Sequence, residues 1–260
     1  MPRRRYCSRW PRKTMRYKIT VEYDGTNLLG WQKQDEGASA QYFLEEALKG
    51  FTHQDINIYG AGRTDAGVHA LGQVAHFDLE TSMDLFHIRE AFNARLRILA
   101  APVSVIEVEN AAPDFHARFS AKGRGYIYRL LNRRAPTVLS ANRVWVVGYP
   151  LDVEKMRQAA KYLLGHHDFS SFRGAGCQAL SPEKTLDKLD IVTNGAEIDF
   201  IVEARSFLYH QVRNMVGTLK EVGDGKLAPE DIKTILEKKN RACAGVTAPA
   251  CGLYLSKVIY

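Results

Sequence analysis

The sequence has little cysteine, and its four cysteines lie far apart. Cys7, Cys177, Cys243 and Cys251 form no Cys-x-x-Cys pair, which argues against a zinc site and against a disulfide framework. No apolar run approaches the ~20 residues that a membrane-spanning helix needs. There is no low-complexity segment or short repeat either. We therefore expect a protein of the reducing cytoplasm that does not engage a membrane.

Acidic residues are absent from the start of the chain, where basic residues accumulate. Residues 1–14 hold six Lys and Arg residues and no Asp or Glu, which leaves about +1 of the net charge of +7 for residues 15–260. This segment lacks an apolar core and is not a secretory signal. We expect a disordered extension without an essential role. A basic RNA-binding arm, a short transit-like segment and an upstream start ahead of Met15 are the alternatives.

The composition of the 260 residues, 45% hydrophobic and 25% charged, is typical of a globular protein with a sizeable core. Alternating patterns predict seven strands, and helical spacing predicts five helices. The predicted strands are residues 16–23, 73–79, 103–108, 125–131, 185–192, 197–204 and 253–259. The predicted helices are residues 39–51, with Ser39 as the N-cap, and residues 82–96, 152–164, 207–222 and 229–238.

The order of these elements predicts the fold class. Strands and helices are interspersed without regular β-α-β alternation, which favours an α+β fold with an antiparallel sheet. The element order is similar in two parts of the chain, which indicates an internal pseudo-duplication. We expect one half at residues 15–131 and another at residues 132–260, after the extension at residues 1–14.

The segment at residues 60–70, here called the Asp65 loop, combines three glycines with Arg63, Asp65 and His69. The glycine spacing and the missing Gly-Lys-Ser/Thr argue against a P-loop and against a dinucleotide fingerprint. The loop could be a solvated connection, or Asp65 and His69 could belong to a metal site, although further ligands are lacking at suitable spacing. The remaining interpretation is that Asp65 is a carboxylate beside Arg63, an arrangement that suits a nucleophile or a general base.

Three further clusters could carry chemistry. Residues 115–129 interleave basic and aromatic side chains, and Tyr126 and Tyr128 share one face of a strand, either as a base-stacking platform or as ordinary sheet packing. Residues 168–177 include Arg173 in a loop that could hold RNA or be a plain connection, and Cys177 there is interpreted as structural.

The third cluster lies on the predicted helix at residues 207–222. His210, Arg213 and Gly217 share one stripe of that helix. Gly217 costs stability inside a helix (~1 kcal/mol against Ala), which indicates close approach by another element or ligand. Arg213 could pair with a buried carboxylate and keep it ionised.

Taken together and in this order, these motifs resemble the TruA family of tRNA pseudouridine synthases over about residues 15–260. The segments that carry the resemblance are Tyr23 to Thr26, Gly30 to Gln32, Gly62 to Ala70, Phe115 to Arg118, Tyr126 to Tyr128, Asp168 to Arg173 and Phe207 to Gly217. The basic extension departs from the family pattern, as does Gln211, where Met often stands.

The resemblance implies a cofactor-independent isomerase that converts uridine to pseudouridine at positions 38 to 40 of the tRNA anticodon arm. It implies a homodimer, no catalytic metal, and two ferredoxin-like halves that share a continuous antiparallel sheet with helices on one side. Asp65 matches the essential aspartate, and Arg213 matches the arginine that pairs with it. Tyr126 matches the tyrosine that stacks on the target base, and Arg63 matches an arginine linked to flipping the uridine out.

Tyr128 and Arg173 complete the expected substrate-binding residues. A single carboxylate in a water-poor pocket could act on C6, on C1′, or as a base at C2′, and the sequence leaves these three open. The alternatives from other classes are a non-catalytic tRNA-binding protein or RNA chaperone, and a metal-dependent hydrolase.

Overall fold

The computed structural model describes residues 14–34 and 37–260, so the predicted basic extension lies, except for Thr14, outside the described residues. The strands are β1 (Thr14–Tyr23), β2 (Tyr59–Gly60), β3 (His69–Glu80), β4 (Val103–Ala111), β5 (Gly123–Asn132), β6 (Trp145–Val147), β7 (Gly165–Asp168), β8 (Glu183–Asn194), β9 (Glu197–Ala204) and β10 (Leu253–Ile259). The α-helices are α1 (Ala40–Thr52), α2 (Leu85–Ile98), α3 (Val153–Lys161), α4 (Gln211–Gly223) and α5 (Asp231–Lys238). In these residues, no helix is long and apolar enough to cross a membrane.

All the described strands belong to one sheet, and the last strand of the chain lies at its centre. The order is β4-β1-β3-β10-β5-β9-β8-β7, with β2 on β3 and β6 on β5. The last strand, β10, lies between β3, to which it is parallel, and β5, to which it is antiparallel. The only other parallel pair in this part of the chain is β5 with β6. The large, mostly antiparallel sheet with five α-helices confirms the predicted α+β fold.

The helices pack on one face of the sheet, around two hydrophobic clusters. Residues that pair directly on neighbouring strands lie on the same face of the sheet. One row of such residues crosses the centre of the sheet on the face that the helices cover: Tyr23, Ala70, Leu255, Tyr126 and Val202. Helices α1 and α2 pack with β1, β3 and β4 in one cluster, and α3, α4 and α5 pack with β5, β8 and β9 in the other. Tyr126 contacts both clusters, so it lies on the strip between the two groups of helices.

Strand β5 belongs to the second cluster although all of it but its last residue precedes residue 132. It pairs with β9 from Arg124 to Leu131, and its inward side chains pack with those of β9. The division into halves at residues 15–131 and 132–260 stays a prediction.

Capping side chains set where two of the helices begin, and a backbone conformation sets the start of a third. Ser39 is the N-cap of α1, as predicted, and its Oγ accepts a hydrogen bond from the Tyr42 amide at 3.2 Å. Helix α2 begins at Leu85 rather than residue 82, because Asp84 caps it by accepting from the His87 amide at 2.8 Å. Helix α4 begins at Gln211 rather than residue 207, because His210 adopts a left-handed conformation with φ of 59°.

Candidate active site

Two glycines let the segment between β1 and α1 lie directly against the Asp65 loop. A Cβ at Gly30 would overlap the carbonyl oxygen of Thr64, and a Cβ at Gly25 would overlap that of Val68. Gly30 also has a φ of +91°, a conformation that side-chain-bearing residues rarely adopt. The loop can therefore keep its position only if both residues are glycine.

Hydrogen bonds fix the inner side of the Asp65 loop to the same segment. The Trp31 amide donates to the Thr64 carbonyl at 3.1 Å, and the Gly67 amide donates to the Leu28 carbonyl at 3.3 Å. The hydroxyls of Tyr23 and Thr64 are 2.7 Å apart and buried. This support places the Asp65 side chain on a rigid turn, although Arg63 on the outer side is exposed.

His69 is a buried structural residue of β3. Its Nδ1 accepts from the Gly25 amide at 3.0 Å, and its Nε2 lies 3.0 Å from the Asn142 carbonyl. Accepting at Nδ1 fixes the neutral tautomer with the proton on Nε2, and burial lowers the pKa of His69. Residues 14–34 and 37–260 contain no group of three or more His, Cys, Asp or Glu side chains that could hold a metal ion. His69 therefore holds the glycine segment beneath the Asp65 loop.

Arg213 reaches Asp65 from the first turn of α4. Its Nη1 lies 3.3 Å from Asp65 Oδ2, and the two side chains are 14% and 27% exposed. Its Nε donates to the Ala248 carbonyl at 2.8 Å, which fixes the guanidinium. The structure therefore brings together the predicted ion pair, although residues 65 and 213 lie in opposite parts of the chain.

His210 completes a triangle with these two side chains. Its Nε2 lies 3.2 Å from Asp65 Oδ2 and 3.0 Å from Arg213 Nη1. In one neutral tautomer Nε2 donates to the carboxylate, and in the other it accepts from the guanidinium. Burial lowers the pKa of His210, so the ring is neutral beside Arg213. The sequence motif contained His210, but helical spacing put it inside α4 rather than at the turn that aims it at Asp65.

Gly217 permits the close approach that its position inside a helix predicted. A Cβ at Gly217 would overlap the carbonyl oxygen of Val246, where residues 244–248 cross α4. The Ala248 amide donates to the Arg213 carbonyl at 3.1 Å, and Arg241 also ties this crossing to Asn214 on α4 at 3.0 Å. The crossing segment thus supplies the carbonyl that holds Arg213.

Tyr126 faces the same region from the centre of the sheet. Its ring meets Phe207 edge-on, with centroids 5.2 Å apart and an interplanar angle of 88°. The residue is partly buried, and this burial raises the pKa of Tyr126 to about 12, while the charge of Asp65 adds to the rise. Tyr126 is therefore a neutral aromatic ring, and its stacking role stays a prediction.

Tyr128 is a core residue, which corrects the expectation of direct substrate contact. It is 0% exposed, and its hydroxyl donates to the Pro249 carbonyl at 2.9 Å. Its ring packs edge-on against Trp145 and Phe200. Tyr126 and Tyr128 do share one face of β5, but that face is covered at Tyr128 by the second hydrophobic cluster.

Arg173 holds its own loop together. One of its terminal nitrogens donates to the carbonyls of Cys177 and Ala179 at 2.7 and 2.8 Å. The Cys177 sulfur in turn accepts from the Tyr209 amide at 3.4 Å, next to His210. Arg173 and Cys177 therefore shape the turn that carries His210, and the structural interpretation of Cys177 fits this contact.

Known proteins similar to this chain identify its family. The family model described as tRNA pseudouridine synthase matches residues 19–120 and 159–260, which together are more than half of the chain. The tRNA pseudouridine synthase A of Ehrlichia ruminantium (strain Gardel) is 53% identical over 247 residues, covering 95% of this chain and 100% of that protein.

Two further relatives carry the same name. The protein of Paramagnetospirillum magneticum is 53% identical over 245 residues, covering 94% of this chain and 95% of that protein. The protein of Wolbachia pipientis wMel is 52% identical over 247 residues, covering 95% and 100%. These similarities confirm the resemblance found in the motifs, and we conclude that this chain belongs to the tRNA pseudouridine synthase A family, whose members are isomerases acting on tRNA.

Proposed function

We propose that this enzyme isomerises uridine to pseudouridine at positions 38 to 40 of the tRNA anticodon stem-loop, with Asp65 as the catalytic residue. The observation that carries the proposal is the way in which the carboxylate is held. Oδ2 lies within 3.3 Å of Arg213 and 3.2 Å of His210. Oδ1 makes no hydrogen bond to any residue in the described part of the chain, so one oxygen is fixed and the other is available to a substrate.

The reaction needs few groups. The C1′–N1 bond breaks, the uracil rotates, and a C1′–C5 bond forms; the proton on C5 leaves and N1 takes one up. No oxidant, reductant or water is consumed. A single ionised carboxylate beside a stacking ring suits this chemistry, and the target base must first leave its stack, which costs a few kcal/mol.

The surrounding residues divide these tasks. Arg213 stabilises the charge of Asp65, and Tyr126 stacks on the uracil so that the detached base turns rather than escapes. Arg63, exposed on the outer side of the Asp65 loop, fills the space that the flipped uridine leaves. The proposal includes a homodimer in the cytoplasm, which the family resemblance supports.

Asp65→Asn tests the catalytic assignment. The amide cannot act as a nucleophile or a base, so we expect tritium release from tRNA labelled at C5 of uridine to fall by about 10³-fold or more. The affinity for tRNA should change little, because Asn keeps the size of Asp and the other residues that contact the RNA are unaltered. Asp187→Asn, at an exposed position on β8, is the matched control and should keep full activity.

The same assay separates the alternatives. Appreciable turnover by Asp65→Asn contradicts the catalytic role. Tight tRNA binding by the unaltered protein without tritium release would favour a non-catalytic tRNA-binding protein. Transcripts that keep a uridine at only one of positions 38, 39 and 40 test the site, and release from none of them contradicts the anticodon assignment.

A further inference from the structure

An exposed group of aromatic and basic side chains lies next to the Asp65 loop and has no part in the mechanism above. We call it the Phe119 patch; it consists of Tyr59, His116, Arg118 and Phe119. Phe119 is 77% exposed, although a phenylalanine gains from burial, and Tyr59 is exposed as well. Exposed apolar side chains grouped together at one place are typical of a binding surface.

One guanidinium fixes the patch beside the catalytic loop. Arg124 donates to the carbonyls of Ala61 and Arg118 at 3.0 and 2.9 Å, and to the carbonyl of Arg205 at 2.9 Å. The backbones at residues 61, 118 and 205 therefore meet around a single side chain. Because Ala61 belongs to the Asp65 loop, a nucleic acid bound at Asp65 would pass close to Phe119.

Hydrogen bonds and ring contacts hold the residues of the Phe119 patch in place. The Ala117 amide donates to Nδ1 of the buried His76 at 3.2 Å, and the His116 amide donates to the Ser120 hydroxyl at 3.0 Å. The rings of His116 and Phe119 are 4.4 Å apart, and those of His116 and Tyr59 are 6.1 Å apart. These contacts hold the Phe119 ring in place while 77% of the residue remains exposed.

The charge around the patch is positive and uncompensated. Arg63, Arg118 and Arg205 are all exposed, and none of them forms a salt bridge with the residues that the structure describes. The Arg118 guanidinium lies 5.7 Å from the centre of the Phe119 ring. An aromatic face flanked by unpaired arginines matches an unpaired base with its phosphates.

We propose that the Phe119 patch is a second RNA subsite, in which an unpaired base of the tRNA near the target uridine stacks on Phe119 while Arg118 contacts its phosphate. The subsite rests on the tRNA activity of the family and not on the position that is modified. Through this subsite the enzyme binds the tRNA next to the flipped nucleotide. Binding there strengthens substrate affinity without changing the chemical step.

Phe119→Leu tests the stacking, and Phe86→Leu is the matched control. Phe86, on α2, is 59% exposed and has its own guanidinium, that of Arg89, at 5.4 Å from the ring centre. We expect Phe119→Leu to raise KM for tRNA about tenfold with kcat unchanged, since stacking is lost. Phe119→Trp should restore the affinity, and Phe86→Leu should have no effect.

Direct contact can be read from crosslinking. tRNA transcribed with 5-bromouridine in place of uridine, irradiated with the Asp65→Asn protein, should crosslink within residues 115–122. An unchanged KM for Phe119→Leu, an equal rise for Phe86→Leu, or crosslinks that avoid this segment would overturn the subsite. The KM values compare variants that all keep Asp65, and the crosslink reports binding and not turnover, so these outcomes are distinct from a failure of the catalytic assignment.

The phosphate contact has its own test. Arg118→Gln should lower the slope of log Kd against log salt concentration by about 0.7 to 0.9, the value for one phosphate. Arg89→Gln, which removes a surface arginine paired with Glu90, should leave the slope unchanged. A slope that is the same for Arg118→Gln as for the unaltered protein would contradict the contact with phosphate.

Discussion

The Asp65 loop has two sides that differ in how firmly their residues are held. On the inner side, Thr64, Gly67 and Val68 are bound to or packed on the segment between β1 and α1. On the outer side, Arg63 and Ala66 are exposed. The Asp65 carboxylate lies between them, with Oδ2 bound to Arg213 and His210. The inner side determines where the carboxylate is, and the outer side is open to solvent.

The same contrast separates residues of identical type. Arg213 is held by a carbonyl and a carboxylate, whereas Arg63 makes no hydrogen bond or salt bridge to any residue from 14–34 or 37–260. Tyr128 is buried with its hydroxyl bonded, whereas Tyr126, two residues earlier, is half-buried against Phe207. Residue type and spacing do not distinguish these pairs; their contacts do.

The glycines offer the strongest test of the inner side. Gly30→Ala would force a Cβ onto the Thr64 carbonyl at a φ of +91°, which we expect to cost more than about 3 kcal/mol of unfolding free energy. A loop displaced by about 1 Å should also lower kcat roughly 10²-fold. Thermal unfolding and tritium release measure the two effects.

Gly62→Ala is the control on the outer side. No atom lies within 4 Å of a Cβ built there, and its φ is not in the left-handed region. We expect a stability change within about 0.5 kcal/mol. If the two alanine variants behave alike, the distinction between a fixed and an open side of the loop is wrong.

Sequence patterns predicted the long elements well and the turns poorly. Strands β9 and β10 were predicted to the residue, as was the Ser39 cap, because alternation and capping are local. Strands β2, β6 and β7 are two to four residues long and too short to show a period. The start of α4 depends on the left-handed conformation of His210, which no spacing reveals.

In the candidate site, too, sequence predicted what depends on residue type and missed what depends on tertiary contacts. That Arg213 could pair with a buried carboxylate was inferred from chemistry, and the resemblance to the TruA family implied that this carboxylate is Asp65. The core position of Tyr128 could not be inferred, since both tyrosines lie on the same face of β5 and only the helices decide which one is covered. The support from Gly30 is likewise tertiary, as the clash involves a carbonyl 34 residues away in the sequence.

A buried imidazole supports the Phe119 patch and should make the protein sensitive to acid. Burial, with smaller contributions from His116 and Arg16, lowers the pKa of His76 to about 4. The unfolded chain binds this proton near its ordinary pKa of about 6.5, so stability is full above that pH and falls as the pH drops towards 4. Between about pH 7 and about pH 5 we expect a loss of about 2 kcal/mol from His76.

His76→Gln separates this contribution from other titrations. Urea unfolding at the two pH values should show a smaller loss of stability on acidification for the variant than for the unaltered protein. His166→Gln, at an exposed position on β7, should leave the loss as it is. An equal loss for His76→Gln would mean that another group, such as the buried His69, carries the acid sensitivity.

The smallest expected effect concerns the two tyrosines of β5. The Tyr126 hydroxyl has no hydrogen-bond partner in the part of the chain that the structure describes, and its pKa of about 12 keeps it neutral. Tyr126→Phe should therefore change kcat by no more than about twofold, whereas Tyr126→Leu, which loses the stacking face, should lower it about tenfold. Tyr128→Phe should do the reverse: it should cost about 1 kcal/mol of stability through the lost bond to Pro249 and leave kcat unaltered. A large loss of activity in Tyr126→Phe would mean that the Tyr126 hydroxyl takes part in the chemistry. The half-buried Tyr126 would then depend on its hydroxyl as the buried Tyr128 does.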